Sequence, residues 1–274
     1  MSTLIVLILL SLPVLVGLSL WRSGQRQARH RQDLIEAGLR PDQRRAILAA
    51  VPLIARLPEG LRPMLEGRVA LFLEQVAFVG CDGLEVSEEM RLSIAAQACL
   101  IPLASDLWYE ELTTVLVYPG AFRSRMVSRD GYVVREEEVV RLGESWSRGQ
   151  VVLSWADVAA GAADPEDGRN VVLHEFAHQF DDLSGDTNGV PVLAEGQSFE
   201  EWERVFLRAY MRLRRRAETG RASVLDTYGA QSHEEFFAVA IEAFFERPGD
   251  LREDEPELYA QLSELLKLDP VSWR

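Results

Sequence analysis

The chain of 274 residues carries 43 acidic against 29 basic side chains, a formal net charge of −14, with 47% hydrophobic residues. That length holds one large domain or two small ones around a real core. The acidic balance excludes a nucleic-acid binder, which needs a basic footprint. The two cysteines, Cys81 and Cys99, exclude a disulfide framework and a thiolate zinc site.

Leu4 to Trp21 is an uncharged apolar run, close to the ~20 residues needed to span a bilayer. Pro13 and Gly17 suit a membrane helix better than a soluble one. Arg22, Arg26, Arg29 and Arg31 follow at once and no Lys or Arg precedes, so the positive-inside rule places the body of the protein in the cytoplasm. A cleaved signal peptide is the competing reading, but a basic leading region and a small-x-small cleavage site are both poorly represented. The expectation is a membrane anchor over residues 1–22, a basic juxtamembrane helix or linker over 23–44, and one folded domain over 45–274. The protein then sits at the inner membrane facing the cytoplasm, with a soluble cytoplasmic protein as the alternative.

Residues 23–78 read as helical, broken at Gly38 to Pro41 and at Leu57 to Gly60; Leu61, Met64, Leu65, Val69, Leu71 and Phe72 recur at helical period. Ser87 is a plausible N-cap for a helix carrying Met90 to Leu103, with Cys99 as a small buried hydrophobe. Thr113 to Tyr118, Tyr132 to Arg135 and Gln150 to Trp155 read as strands. Asp164-Pro165 has the cap and the first-turn proline of a helix running to Asp182. A polar loop from Ser184 to Gly196 lacks the ligand spacing of a calcium loop. Helices over Ser198 to Glu218 and Glu234 to Glu246 follow. The Arg212, Arg214, Arg215, Arg216 cluster reads as a solvated helix face and the acidic helix over Glu255 to Leu266 as a solvated lid. Few strands ahead of a helical half argue for an α+β fold with a small sheet and mostly helical surroundings.

Within the helix to Asp182 lies His174-Glu175-Phe176-Ala177-His178. Residues four apart share a helix face, so His174 and His178 present two imidazoles to one point, as a tetrahedral zinc requires. Glu175 lies beside the first ligand, where a carboxylate serves as general base towards a metal-activated water. Asp181 stands one further turn along, near the helix C-terminus where the dipole disfavours it, which suggests a hydrogen bond to a ligand histidine or to loop backbone. A catalytic zinc needs a third protein ligand. His233, Glu234, Glu235 and Glu242 are the realistic choices. Glu235 and Glu242, seven apart, share one face of an otherwise apolar helix.

His174 to Asp181 together with Tyr228 to Val239, and further Ile94 to Leu100, Val115 to Pro119 and Val151 to Asp157, resemble the Mlc titration factor A family of zinc-dependent peptidases. The resemblance covers roughly residues 45–270. It implies a zincin-like metalloprotease domain of the gluzincin kind, related in its site to anthrax lethal factor, with the strand ending at Trp155 as the edge along which an extended peptide pairs. It also implies His174, His178 and Glu235 as ligands of Zn2+, Glu175 as base and Tyr228 facing the zinc to stabilise an oxyanion. Aminopeptidase-like hydrolysis of peptides is the implied activity. The implied partner is the glucose-regulated transcription repressor Mlc, which leaves a regulatory binding protein as the alternative function.

Overall fold

The computed structural model describes residues 21–273 other than 23, 27, 131, 132, 142, 147 and 148, with side chains outside 122–148. The expected anchor over residues 1–22 therefore lies outside the described residues apart from Trp21 and Arg22. Among the described residues no helix is long and apolar enough to cross a membrane.

In chain order the elements are α1 (Pro41–Ala50), α2 (Pro52–Ala55), α3 (Arg62–Gln75), β1 (Ala77–Gly80), α4 (Glu88–Ala98), β2 (Thr114–Tyr118), β3 (Phe122–Asp130), β4 (Val133–Arg141), β5 (Gly143–Trp146) and β6 (Gln150–Ser154). The helical half follows as α5 (Trp155–Ala163), α6 (Val171–Asp181), α7 (Phe199–Thr219), α8 (His233–Glu246), α9 (Pro248–Asp254) and α10 (Pro256–Leu266). This is the expected α+β class. One sheet runs β1-β2-β6-β5, its first three strands parallel and β5 antiparallel to β6; β3 and β4 form a separate antiparallel hairpin.

Val115 and Val117 of β2 and Val151 and Leu153 of β6 are fully buried, paired Val115 with Val151 and Val117 with Leu153. Such β-branched runs suit interior strands of a sheet buried by helices. β6 is thus flanked on both sides, and among the described residues the edge strand on that side of the sheet is β5, not the strand ending at Trp155. Trp155 itself opens α5, whose N-cap Ser154 accepts the Asp157 N–H at 3.4 Å. The short Ala- and Gly-rich α5 has too few large apolar residues to announce a helical period.

Val172, Leu173, Phe176, Ala177 and Phe180 of α6 are fully buried. Phe176 meets the rings of Phe72 at 5.6 Å and Tyr109 at 5.3 Å, which seats one face of α6 in the core. The helix begins at Val171, six residues later than Asp164-Pro165 suggests. Asp164 accepts the Glu166 N–H at 3.2 Å and Asp167 the Arg169 N–H at 2.8 Å, and these local turns hold the backbone out of a helix until Asn170.

The C-terminal acidic helix is not a solvated lid. Leu258, Tyr259, Leu262, Leu265 and Leu266 of α10 are all buried. Two of the four arginines of the α7 cluster meet acidic partners, Arg212 with Glu255 and Arg216 with Asp254, and Arg208 one turn earlier pairs with Glu257 at 3.0 Å, whereas Arg214 and Arg215 are exposed as expected. Local charge rules see a solvated basic face because the acidic partners lie about forty residues downstream.

The loop after α6 is pinned by its tip. Gly189 has φ +80°, donates its N–H to Asp181 Oδ2 at 2.6 Å, and a Cβ there would stand 2.6 Å from the His233 carbonyl oxygen. Asp181 therefore serves loop backbone, one of the two roles expected of it, and ties α6 to the start of α8. Gly189→Ala is expected to destabilise the protein by about 2 kcal/mol or more, since an L side chain is strained at this φ and backbone must move. Thermal unfolding checks this; a melting temperature equal to wild type contradicts it.

Candidate metal centre

Two helices bring the site together. Asn170 caps α6 by accepting the Leu173 N–H at 3.0 Å, which starts the helix so that His174 and His178 fall away from the apolar stripe of Val172, Leu173, Phe176 and Phe180. Ser232 caps α8 by accepting the Glu235 N–H at 3.4 Å. Ser232-His233-Glu234-Glu235 has the spacing of a capping box, yet the Glu235 carboxylate turns to α6. Its Oε2 lies 3.0 Å from His174 Nε2 and 3.6 Å from His178 Nε2. The Tyr228 hydroxyl donates to the other oxygen, Oε1, at 3.3 Å.

One donor atom from each of His174, His178 and Glu235 lies within 4.8 Å of the others. Two ligands each about 2.05 Å from a tetrahedral ion stand about 3.3 Å apart. The observed 3.0 and 3.6 Å straddle that figure. Two imidazole nitrogens and one carboxylate oxygen form a donor set that borderline-soft divalent metals accept. The residues present fit a metal ion.

The electrostatics agree. Burial alone pushes the Glu235 carboxyl up, but hydrogen bonds from His174 and His178 outweigh it and hold the group well below the usual carboxylate range. Burial pushes His174 down, and the hydrogen bonds to Glu235 and Glu242 overcome it, so the imidazole is raised well above its ordinary value. Glu235 is thus an anion, the state in which a carboxylate ligates, and a cation arriving at the site replaces the His174 proton.

Of the expected site residues, the structure gathers His174, His178, Glu235 and Tyr228, the Tyr228 ring centred 5.8 Å from that of His174. Glu175 is buried, and its charge acts on His174. His233, a candidate third ligand by sequence, packs its ring on Tyr210 at 4.5 Å instead. Glu242 is not at the converging point; its Oε1 accepts from His174 Nδ1 at 2.8 Å, behind the ring. That bond fixes which nitrogen carries the proton and leaves Nε2 to face Glu235.

Sequence reasoning missed the polar group behind Glu242, where Asn170, Gln97 and Glu246 are buried together. The signal was present: Glu246 follows Glu242 by one turn on an apolar helix, and Asn170 stands just before an apolar run. Burial, with smaller help from the Glu242 charge and against the Asn170 amide, pushes the Glu246 carboxyl up to about 8. The folded pKa lies above an unfolded value of about 4.3. Stability from this group is therefore complete below that value and is lost as pH rises through 8. Glu246→Gln keeps the acceptor for Asn170 and removes the titration. Its stability relative to wild type is expected to rise by roughly 2–4 kcal/mol between pH 5 and pH 9, measured by denaturant unfolding; a pH-independent difference refutes the assignment.

Residues 25–267 match the model of the glucose-regulated metallo-peptidase M90 family. The chain is 42% identical over 235 residues, 84% of its own length and 86% of the relative's, to an uncharacterized protein of Synechocystis sp.. It is 30% identical over 230 residues (82% and 86%) to Mlc titration factor A of Klebsiella pneumoniae subsp. pneumoniae. Against Mlc titration factor A of Escherichia coli O127:H6 it is 29% identical over 227 residues (81% and 84%).

Proposed function

The chain belongs to the glucose-regulated metallo-peptidase M90 family, that of Mlc titration factor A, and on that premise we propose that it is a zinc-dependent, zincin-like metallopeptidase that hydrolyses peptide bonds. The observation that carries the reading is the convergence of His174, His178 and Glu235 from two helices, with Glu235 Oε2 3.0 and 3.6 Å from the two imidazole nitrogens. Zinc held there supplies Lewis acidity towards water and the scissile carbonyl. Glu175 takes the proton from the attacking water and hands it to the leaving amine. Tyr228, half-exposed beside the ligands, turns its phenol from Glu235 to the oxyanion as negative charge develops. Glu242 keeps the His174 ring oriented throughout. An extended substrate pairs along the edge strand β5, which packs against α6.

Zinc content and cleavage of a broad peptide library, aminopeptidase substrates included, test the proposal on the purified protein. Stoichiometric zinc with turnover is the expected result; zinc without cleavage of any peptide rejects the enzyme. Tyr228→Phe is expected to lower kcat by about 10²-fold with zinc retained, the usual scale for one oxyanion donor. An unchanged kcat removes Tyr228 from the mechanism.

A second reading follows from the names of the relatives, which link them to Mlc: a regulatory protein that binds a transcription repressor. Binding of Mlc by the Glu175→Gln protein separates it from catalysis. We also propose that the uncharged run Leu4 to Trp21 anchors the domain at the cytoplasmic face of the inner membrane. Proteolysis in spheroplasts tests that, with protection before lysis and cleavage after it expected, and cleavage in intact spheroplasts or recovery in the soluble fraction opposing it.

A further inference from the structure

We propose that Asn170 is a positioning residue for the metal centre, holding the Glu242–His174 pair in the arrangement that turns His174 Nε2 towards Glu235 and His178. The inference rests on the metallopeptidase reading and concerns a side chain whose hydrogen bonds run to Leu173, Gln97 and Glu246 rather than to the converging donor atoms.

Every hydrogen-bonding group of Asn170 is engaged. Its backbone N–H donates to Glu242 Oε2 at 2.5 Å and its carbonyl accepts the His174 N–H at 2.9 Å. The side-chain Oδ1 caps the helix at Leu173, while Nδ2 donates to Gln97 Oε1 at 2.8 Å and to Glu246 Oε1 at 2.9 Å. Serine, threonine or aspartate supplies a cap acceptor as well as asparagine does. Only the amide adds two donors, and here both are spent on buried acceptors of α4 and α8. Gly161 of α5 closes the remaining side: a Cβ there would stand 2.9 Å from the Arg169 carbonyl oxygen and 3.1 Å from Asn170 Cα.

Three helices thus clamp one residue at the head of α6. The clamp sets where the 170 N–H points, and that N–H takes one oxygen of Glu242. The other oxygen is left to the His174 Nδ1–H. Orientation of a metal-ligating ring by such an outer contact is worth about 10- to 100-fold in metal affinity when the contact is removed.

The test is a zinc competition titration, with unfolding of the metal-free protein measured in parallel, on Asn170→Asp, Glu246→Gln and their combination. Asn170→Asp keeps the cap acceptor and loses both donors; at pH 9, where Glu246 is ionised, it also sets one carboxylate against another, so the titrations are run at that pH. Its zinc dissociation constant is expected to rise about tenfold or more. Glu246→Gln alone is expected to leave zinc affinity within about twofold of wild type, and the pair to recover most of the loss, because the glutamine amide donates to the new aspartate. A merely structural role lowers the melting temperature of Asn170→Asp and leaves its zinc constant within about twofold of wild type; that result overturns the proposal. If Asn170→Asp does not fold, Gln97→Met takes its place, with weaker zinc binding expected and unchanged binding overturning it. A wild-type protein without zinc affinity fails the metallopeptidase reading itself, whereas tight wild-type binding with unaffected variants fails only the role of Asn170.

Discussion

Glu175→Gln is expected to reduce peptide turnover by about 10³-fold while leaving zinc content at wild-type level. The scale follows from what a positioned proton acceptor contributes, about 10²–10⁴. The separation of the two readouts follows from geometry. Glu175 lies on α6 next to His174 and is buried, yet the atoms that converge on the metal position come from His174, His178 and Glu235. A glutamine fills the same volume, so the packing of α6 changes little. Its neutral amide cannot take a proton from water or return one to the amine. Steady-state kinetics beside metal analysis decide the matter. Turnover within about threefold of wild type removes the base, and loss of zinc in the same variant makes Glu175 part of the metal shell.

Glu235→Ala is expected to weaken zinc binding by about 10²–10³-fold. Apparent binding energies of about 10–16 kcal/mol for four-ligand zinc sites allot roughly 3–4 kcal/mol to each ligand, a loss of about 10²–10³-fold in affinity. The real loss lies at the upper end, because Glu235 is the only anion among the three donors and is held ionised by both histidines. The same carboxylate also takes the Tyr228 hydroxyl at 3.3 Å, so its removal frees the phenol as well as the ligand position. Equilibrium dialysis against zinc is the measurement. Wild-type affinity in this variant moves the third ligand elsewhere, and Glu242, whose Oε1 sits 2.8 Å from the other His174 nitrogen, is the residue then to test.

Much of the local structure was legible. Ser87 caps its helix as expected, and the apolar residues around the two histidines face the core. Where turns and caps compete, reading by position failed. Asp164-Pro165 has every mark of a helix start, but the aspartates at 164 and 167 bond backbone two residues on and delay the helix to Asn170. Long-range pairing was out of reach in principle. Arg208, Arg212 and Arg216 of α7 cannot be told from a solvated face until residues 254–257 are folded against them.

The candidate site divides the same way. A 3.6-residue period suffices to place His174 and His178 on one helix face with Glu175 beside them, so the amino-acid sequence alone determined that these three side chains belong to one candidate site. Glu235 and Glu242 share one face of α8, and nothing in their own helix distinguishes them. Only the packing of α8 against α6 does so. It sets Glu235 against Nε2 of His174 and Glu242 against Nδ1, because the two ring nitrogens point to opposite sides and each meets a different turn of the facing helix. Asn170, Gln97 and Glu246 become a unit only when α4, α6 and α8 meet, since a buried amide finds its partners in space rather than along the chain.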